Sequence, residues 1–260
     1  MVDSVMMSEL TWYEYKERVD RGDQIVILPF GALEQHGPHL PMGTDNIIPT
    51  RIAARVAELT GAVVAPCISY GYKSQPKSGG GNEFPGTTSL DAASLISISG
   101  DIIRELARHG VRRVVVMNWH MENAWHLVEG IDLALRGLRA EGINDLKVQR
   151  IEAYDFVSEE TLAEIFKDET ANLALEHAAV MESSLILYLC PELVHSDLIP
   201  DGKQANFPAY DVYPIKEEWV PETGVLRSAK IASAEFGKKL YEEYTDTIAR
   251  AVLAEFPKLS

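Results

Sequence analysis

The sequence predicts an α/β fold built on one mostly parallel sheet. Three observations carry this. Short apolar runs recur at 24–29, 62–66 and 113–117, with a fourth strand expected over 146–153, and such runs suit strands buried on both faces. Between them lie longer segments whose apolar residues repeat at helical spacing. The joins are short, so strand and helix alternate without a linker, and residues 1–260 read as a single domain.

Taken in order, 9–21 is a helix with Thr11 as a candidate cap, and 24–29 is the first strand. A loop punctuated by Gly and Pro follows. Residues 46–60 carry Ile47, Ile48, Ile52, Val56 and Leu59 on a helical repeat that Gly61 stops, and 62–66 is the second strand. Residues 70–86 hold almost no secondary-structure signal, and a loop of that length inside a domain is usually functional. Thr88 to Asp91 resembles a capping box for a helix that buries Leu95, Ile98, Ile102 and Leu106 and ends near His109. The third strand, 113–117, leads through 118–123 into a helix reaching about Arg139. After the fourth strand come helical segments at 158–166 and 175–189. Residues 191–227, rich in proline and aromatics, are expected to wrap the surface or make a subunit contact, and 229–256 closes the chain as a helix.

The formal net charge of −15 and the lack of a Lys/Arg cluster argue against a nucleic-acid partner. Cys67 and Cys190 lack disulfide-framework or zinc-ribbon spacing and read as buried free thiols. No basic segment followed by an apolar run opens the chain, and no apolar stretch reaches the roughly 18 residues of a membrane span, so a cytoplasmic protein is expected.

Ligands in an open α/β sheet collect at the carboxyl ends of the strands. Glu34, His36 and Asp45 follow the first strand, and His120 and Glu122 follow the third. Each i, i+2 pair, Glu34/His36 and His120/Glu122, points to one side if the chain there is extended. Imidazole with carboxylate suits Zn²⁺ or Mn²⁺. Five ligands exceed what one catalytic zinc takes and fit two ions sharing a carboxylate. Glu122 also reads simply as the first-turn acid of the next helix. His177, expected near a helix start, is a candidate general acid or base, or an exposed first-turn histidine. The Gly79-Gly80-Gly81 run lacks phosphate-loop spacing and is expected to let backbone pass close to a substrate, with Ser78 a candidate substrate contact.

Gly31-Ala32-Leu33-Glu34-Gln35-His36-Gly37, Asp45 and Asn118-Trp119-His120-Met121-Glu122-Asn123 resemble the motifs of the creatininase (creatinine amidohydrolase) family. The likeness extends through 70–90, 101–110, 128–136 and 207–212. It implies a three-layer α/β/α sandwich, a homohexamer and two divalent ions, Zn and/or Mn. One ion would take Glu34, Asp45 and His120, and the other His36, Asp45 and Glu122. A hydroxide between them would attack the carbonyl of a small cyclic amide, Glu122 would belong to the catalytic set, and His177 would move a proton to the leaving nitrogen. Substrate contacts would come from Ser78, Gly79, Met121, Tyr154 and Leu173. Three of these positions depart from the family pattern. Met121 stands for a tyrosine, Tyr154 for a tryptophan, and Leu173-Ala174 for Trp-Asp, so stacking area and a carboxylate are missing around the substrate. Formamides or a keto-inositol as substrate, and a binding protein without turnover, are the other readings.

Overall fold

The structure, a computed structural model, describes residues 4–167, 172–201 and 204–258. Its centre is β1 (Ile25–Phe30), in which all six residues are buried. Side chains alternate across a strand, so β1 feeds two cores at once. Ile25 and Ile27 enter one hydrophobic cluster, and Val26, Leu28 and Phe30 enter the other. With β2 (Val63–Val64), β3 (Arg113–Asn118) and β4 (Lys147–Glu152), it forms a four-stranded parallel sheet in the order β2-β1-β3-β4.

Helices cover both faces. α1 (Trp12–Val19), α4 (Ala92–Arg108) and α5 (Ala124–Ala140) lie with the cluster holding Val26, Leu28 and Phe30. α2 (Thr44–Thr60), α7 (Val180–Leu189) and α8 (Ala234–Glu255) lie with the cluster holding Ile25 and Ile27. Each fully buried aliphatic side chain in these clusters contributes about 1.5–3 kcal/mol. The short α3 (Pro76–Gly79) breaks the long loop, and α6 (Glu159–Phe166) follows β4 with Ser158 as its cap. No described helix is long and apolar enough to cross a membrane.

Local chemistry explains where elements begin. Thr11 caps α1 in a reciprocal box, its hydroxyl accepting from the Glu14 N–H and the Glu14 carboxylate accepting from the Thr11 N–H. The box expected at Thr88 to Asp91 does not form; the Asp91 carboxylate pairs with Lys73 at 2.5 Å instead of closing on α4. The helix expected from 175 starts only at Val180. Residues Leu173–Leu175 form a 3₁₀ turn, and Ala178 at φ +53° prevents a continuous helix between them. The first turn of α7 is capped by carboxylates. Glu176 accepts from the Met181 N–H at 2.9 Å, and Glu182 from the Ala178 N–H at 2.7 Å.

Candidate active site

The loops after β1 and β3 meet at the carboxyl edge of the sheet, as parallel topology requires. Asparagines hold them together. Asn123 donates to the Gly31 carbonyl at 3.0 Å and to Asn118 Oδ1 at 3.1 Å, and accepts from the Tyr72 N–H at 2.8 Å. Asn46 donates to the Ala32 carbonyl at 2.9 Å. Gly31 is where α2 approaches; a Cβ there would lie 2.1 Å from the Asp45 carbonyl oxygen. Asp45 thereby sits, buried, in the first turn of α2, where the helix dipole favours a carboxylate.

Glu34, Asp45 and His120 form one group able to hold a metal ion, and His36, Asp45 and Glu182 form another. His120 Nδ1 lies 3.0 Å from Glu34 Oε2 and 3.1 Å from Asp45 Oδ2. His36 Nε2 lies 3.2 Å from Asp45 Oδ1 and 3.6 Å from Glu182 Oε2. Asp45 is common to both groups, with one oxygen toward each. The far nitrogen of each ring faces a main-chain carbonyl. His120 Nε2 is 2.9 Å from the Tyr72 oxygen, and His36 Nδ1 is 3.1 Å from the Glu34 oxygen. A hydrogen on those far nitrogens leaves the near ones as lone pairs aimed between the carboxylates, which is how ligating histidines are held.

The electrostatics of the bare protein carry the same message. Burial opposes charge on His36, yet Asp45 and Glu182 outweigh it and lift the imidazole to about 10. His120 is likewise buried and likewise lifted, by Glu122 and Glu34. Burial opposes ionisation of Asp45, but His36 and His120 hold its carboxyl low, while burial raises Glu34 and takes Glu182 to about 7. Glu34 Oε1 and His36 Nε2 are buried without a hydrogen-bond partner. Carboxylates this close in a buried site need cationic compensation, and divalent ions supply it where protons otherwise must. The residues therefore fit a two-metal centre.

The structure does not group Glu122 as the spacing predicts. The chain turns into a 3₁₀ helix, Met121–Asn123, directly after His120, so the extended geometry behind the i, i+2 argument is absent. Glu122 instead accepts from the Gln75 N–H at 2.9 Å and the Ser78 hydroxyl at 2.5 Å, and approaches His120 Nε2 at 3.5 Å. Glu182 occupies the position beside His36 and Asp45. Its signal in the sequence was a lone charge in the otherwise uncharged segment 180–189, since a buried charge needs a partner.

A cavity of about 240 Å³ opens beside these groups, lined by Ser78, Met121, Glu122, Tyr154, Leu173 and His177 among others. Met121 and Leu173 are about 45% and 42% exposed and stand at its rim. Tyr154 is tied back by its hydroxyl, which donates to Glu152 at 3.0 Å. His177 is buried rather than exposed, and its ring lies 4.4 Å from that of His36. Burial, then the nearby His36, press its pKa well below normal, which favours the uncharged imidazole. Gly79 does not line the cavity. A Cβ on it would meet Glu34 Oε1 at 1.9 Å, so this glycine admits a ligand-type side chain rather than a substrate. Cys67 is half-buried rather than enclosed, and Cys190 is buried; both are free.

A family model described as creatininase, creatinine amidohydrolase, matches residues 8–252. The chain is 51% identical to the creatinine amidohydrolase of Pseudomonas putida over 258 residues, 99% of each chain. Its structure superposes with a TM-score of 0.97 on a manganese creatininase at 50% identity, covering 98% of this chain and 100% of that one. A mutant creatininase of Zn–Zn type superposes equally well, at TM-score 0.97 and 50% identity, covering 99% and 100%. Matching over nearly its full length, with helices on both faces of a parallel sheet, the chain belongs to the creatininase family.

Proposed function

We propose that this chain hydrolyses a small cyclic amide with two divalent metal ions, creatinine being the first substrate to test. The observation that carries this is the pair of ligand groups sharing Asp45, set beside a buried His177 on a cavity of small-molecule size. Glu34, Asp45 and His120 would hold one ion, and His36, Asp45 and Glu182 the other. When bound, such ions activate water at neutral pH and polarise a carbonyl. Zn²⁺ and Mn²⁺ suit this mixed donor set, and the relatives include manganese and zinc forms.

The chain's own residues do the rest. Glu122 takes up a proton at its carboxylate, with Ser78 and the Gln75 N–H holding that group in place. His177, uncharged at rest, gives a proton to the leaving nitrogen, and the proton that Glu122 has taken from the attacking water replaces it. Met121, Leu173 and Tyr154 close over the ring of the substrate, while Gly79 acts from behind Glu34. We also read the chain as a cytoplasmic homo-oligomer, a hexamer by its family. Exposed Trp125 and the stacked Trp12 and Tyr13 are apolar surface that subunits would cover, in addition to residues 191–227.

The test is turnover by Mn²⁺-loaded protein on creatinine, other cyclic ureides, formamides and keto-inositols, before and after chelation. Ring opening of a cyclic amide that chelator abolishes and Mn²⁺ restores is the expected result. Full activity after metal removal, or binding across the panel without turnover, sinks the proposal.

A further inference from the structure

Gln35 lies between two of the ligand-type residues and is only 7% exposed. Its Nε2 is 2.8 Å from His177 Nε2, 3.0 Å from the Gly79 carbonyl oxygen and 3.0 Å from the Gly224 carbonyl oxygen. Its Oε1 accepts from the Gly37 N–H at 2.8 Å. That bond fixes which way the carboxamide faces. Turned over, the NH₂ group would oppose the Gly37 N–H and the oxygen would oppose two carbonyls. An amide nitrogen has two hydrogens and no available lone pair. Two hydrogens here face three acceptors, so one N–H is shared between a carbonyl and the ring; the contact with His177 is a hydrogen bond only when the imidazole Nε2 accepts, and a neutral ring then carries its hydrogen on Nδ1.

The surroundings are shaped to this carboxamide. A Cβ on Gly224 would sit 2.1 Å from Gln35 Oε1, and one on Gly80 2.8 Å from Gln35 Nε2. Gly80 and Gly224 also hold φ of +77° and +71°, which admits the close approach without strain. Three segments distant in sequence thus converge on one side chain: the turn at Gly79, His177 ahead of α7 and the turn at Gly224.

We infer that Gln35 is a positioning residue for the hydrolysis, acting through His177: it holds the ring with Nε2 as acceptor and the hydrogen on Nδ1, and pins the Gly79 and Gly224 turns to the same amide. The inference rests on His177 being the residue that moves the proton.

The test uses Gln35→Met, which keeps length and removes the donors, and Gln35→Glu, which keeps shape and puts an acceptor against the two carbonyls. In Zn²⁺-loaded protein each variant should retain two ions, melt lower because the buried carbonyls of Gly79 and Gly224 lose their donor, and lose about 10²-fold in kcat. KM should stay within about threefold. In a His177→Ala background, adding Gln35→Met should lower kcat no further. An undiminished second loss in that background means that Gln35 acts through the fold and overturns the inference. A second readout needs no turnover. With ¹⁵N-histidine labelling, wild-type His177 should show a protonated Nδ1 and an unprotonated Nε2, and Gln35→Met should lose that preference. A wild-type ring protonated on Nε2 overturns the inference even in an active enzyme. A chain with the expected ring state and no turnover on any substrate supports the placement while sinking the hydrolase reading.

Discussion

Replacing Glu182 by glutamine separates the two ways of completing the second metal site. Glu182 Oε2 lies 3.6 Å from His36 Nε2, and the side chain is 13% exposed. Its carboxylate also accepts from the Trp119 indole N–H at 3.2 Å and the Ala178 N–H at 2.7 Å. Glutamine keeps the volume, but its NH₂ end must face one of those donors, so one hydrogen bond of about 1 kcal/mol is lost. The larger effect is on charge. Removing one member of a buried, compensated charge set costs about 3–5 kcal/mol, and each 1.4 kcal/mol is tenfold, so affinity for the second ion should fall about 10²- to 4 × 10³-fold. The assay is metal content after dialysis against metal-free buffer, with calorimetric titration of the ions back. Wild type should keep two ions per chain, whereas Glu182→Gln should keep about one, held by Glu34, Asp45 and His120. Two ions retained at wild-type affinity would refute the assignment of Glu182 and return the second site to Glu122.

Other perturbations test the rest of the site. Glu122→Gln should fold and melt normally while kcat drops at least 10²-fold, because the group is placed to handle a proton; near-normal kcat would remove it from the mechanism. Met121→Tyr restores aromatic surface at the rim and should raise kcat/KM for creatinine about 2- to 10-fold, the range of a stacking contact of 0.5–1.5 kcal/mol; no change would show that the rim does not stack on the substrate. Burial lifts the Cys67 thiol to about 11, so the group loses its proton only in strong alkali. Alkylation at Cys67 in the folded protein should therefore be slow at pH 8 and climb about tenfold per unit up to pH 10, and fast labelling at pH 8 would contradict the packing around it.

Much of this protein is written locally. The alternation of apolar strands with helical repeats specifies a parallel sheet, because period-2 burial on two faces and period-3.6 burial on one can be recognised within a few residues. Glu34, His36, Asp45 and His120 are visible as ligand-type residues at strand ends for the same reason. Element starts were less legible. Thr88 to Asp91 has the composition of a capping box, but Lys73, remote in sequence, takes the Asp91 carboxylate. His177 reads as a residue at a helix start, yet a left-handed Ala178 delays the helix and leaves the imidazole buried against His36.

Sequence alone determined the fold class, the chemistry of the donors and the family motifs. Tertiary structure decided the partnerships. Spacing along the chain predicts which side chains share a face only while the backbone stays regular, and a single 3₁₀ turn at Met121–Asn123 was enough to send Glu122 toward Ser78. Glu182 reaches His36 because α7 packs beside α2 on one face of the sheet, and no local pattern encodes that contact. The glycines at 79, 80 and 224 were legible as permissive backbone. What they make room for, Glu34 and Gln35, could be seen only once the loops had been brought together.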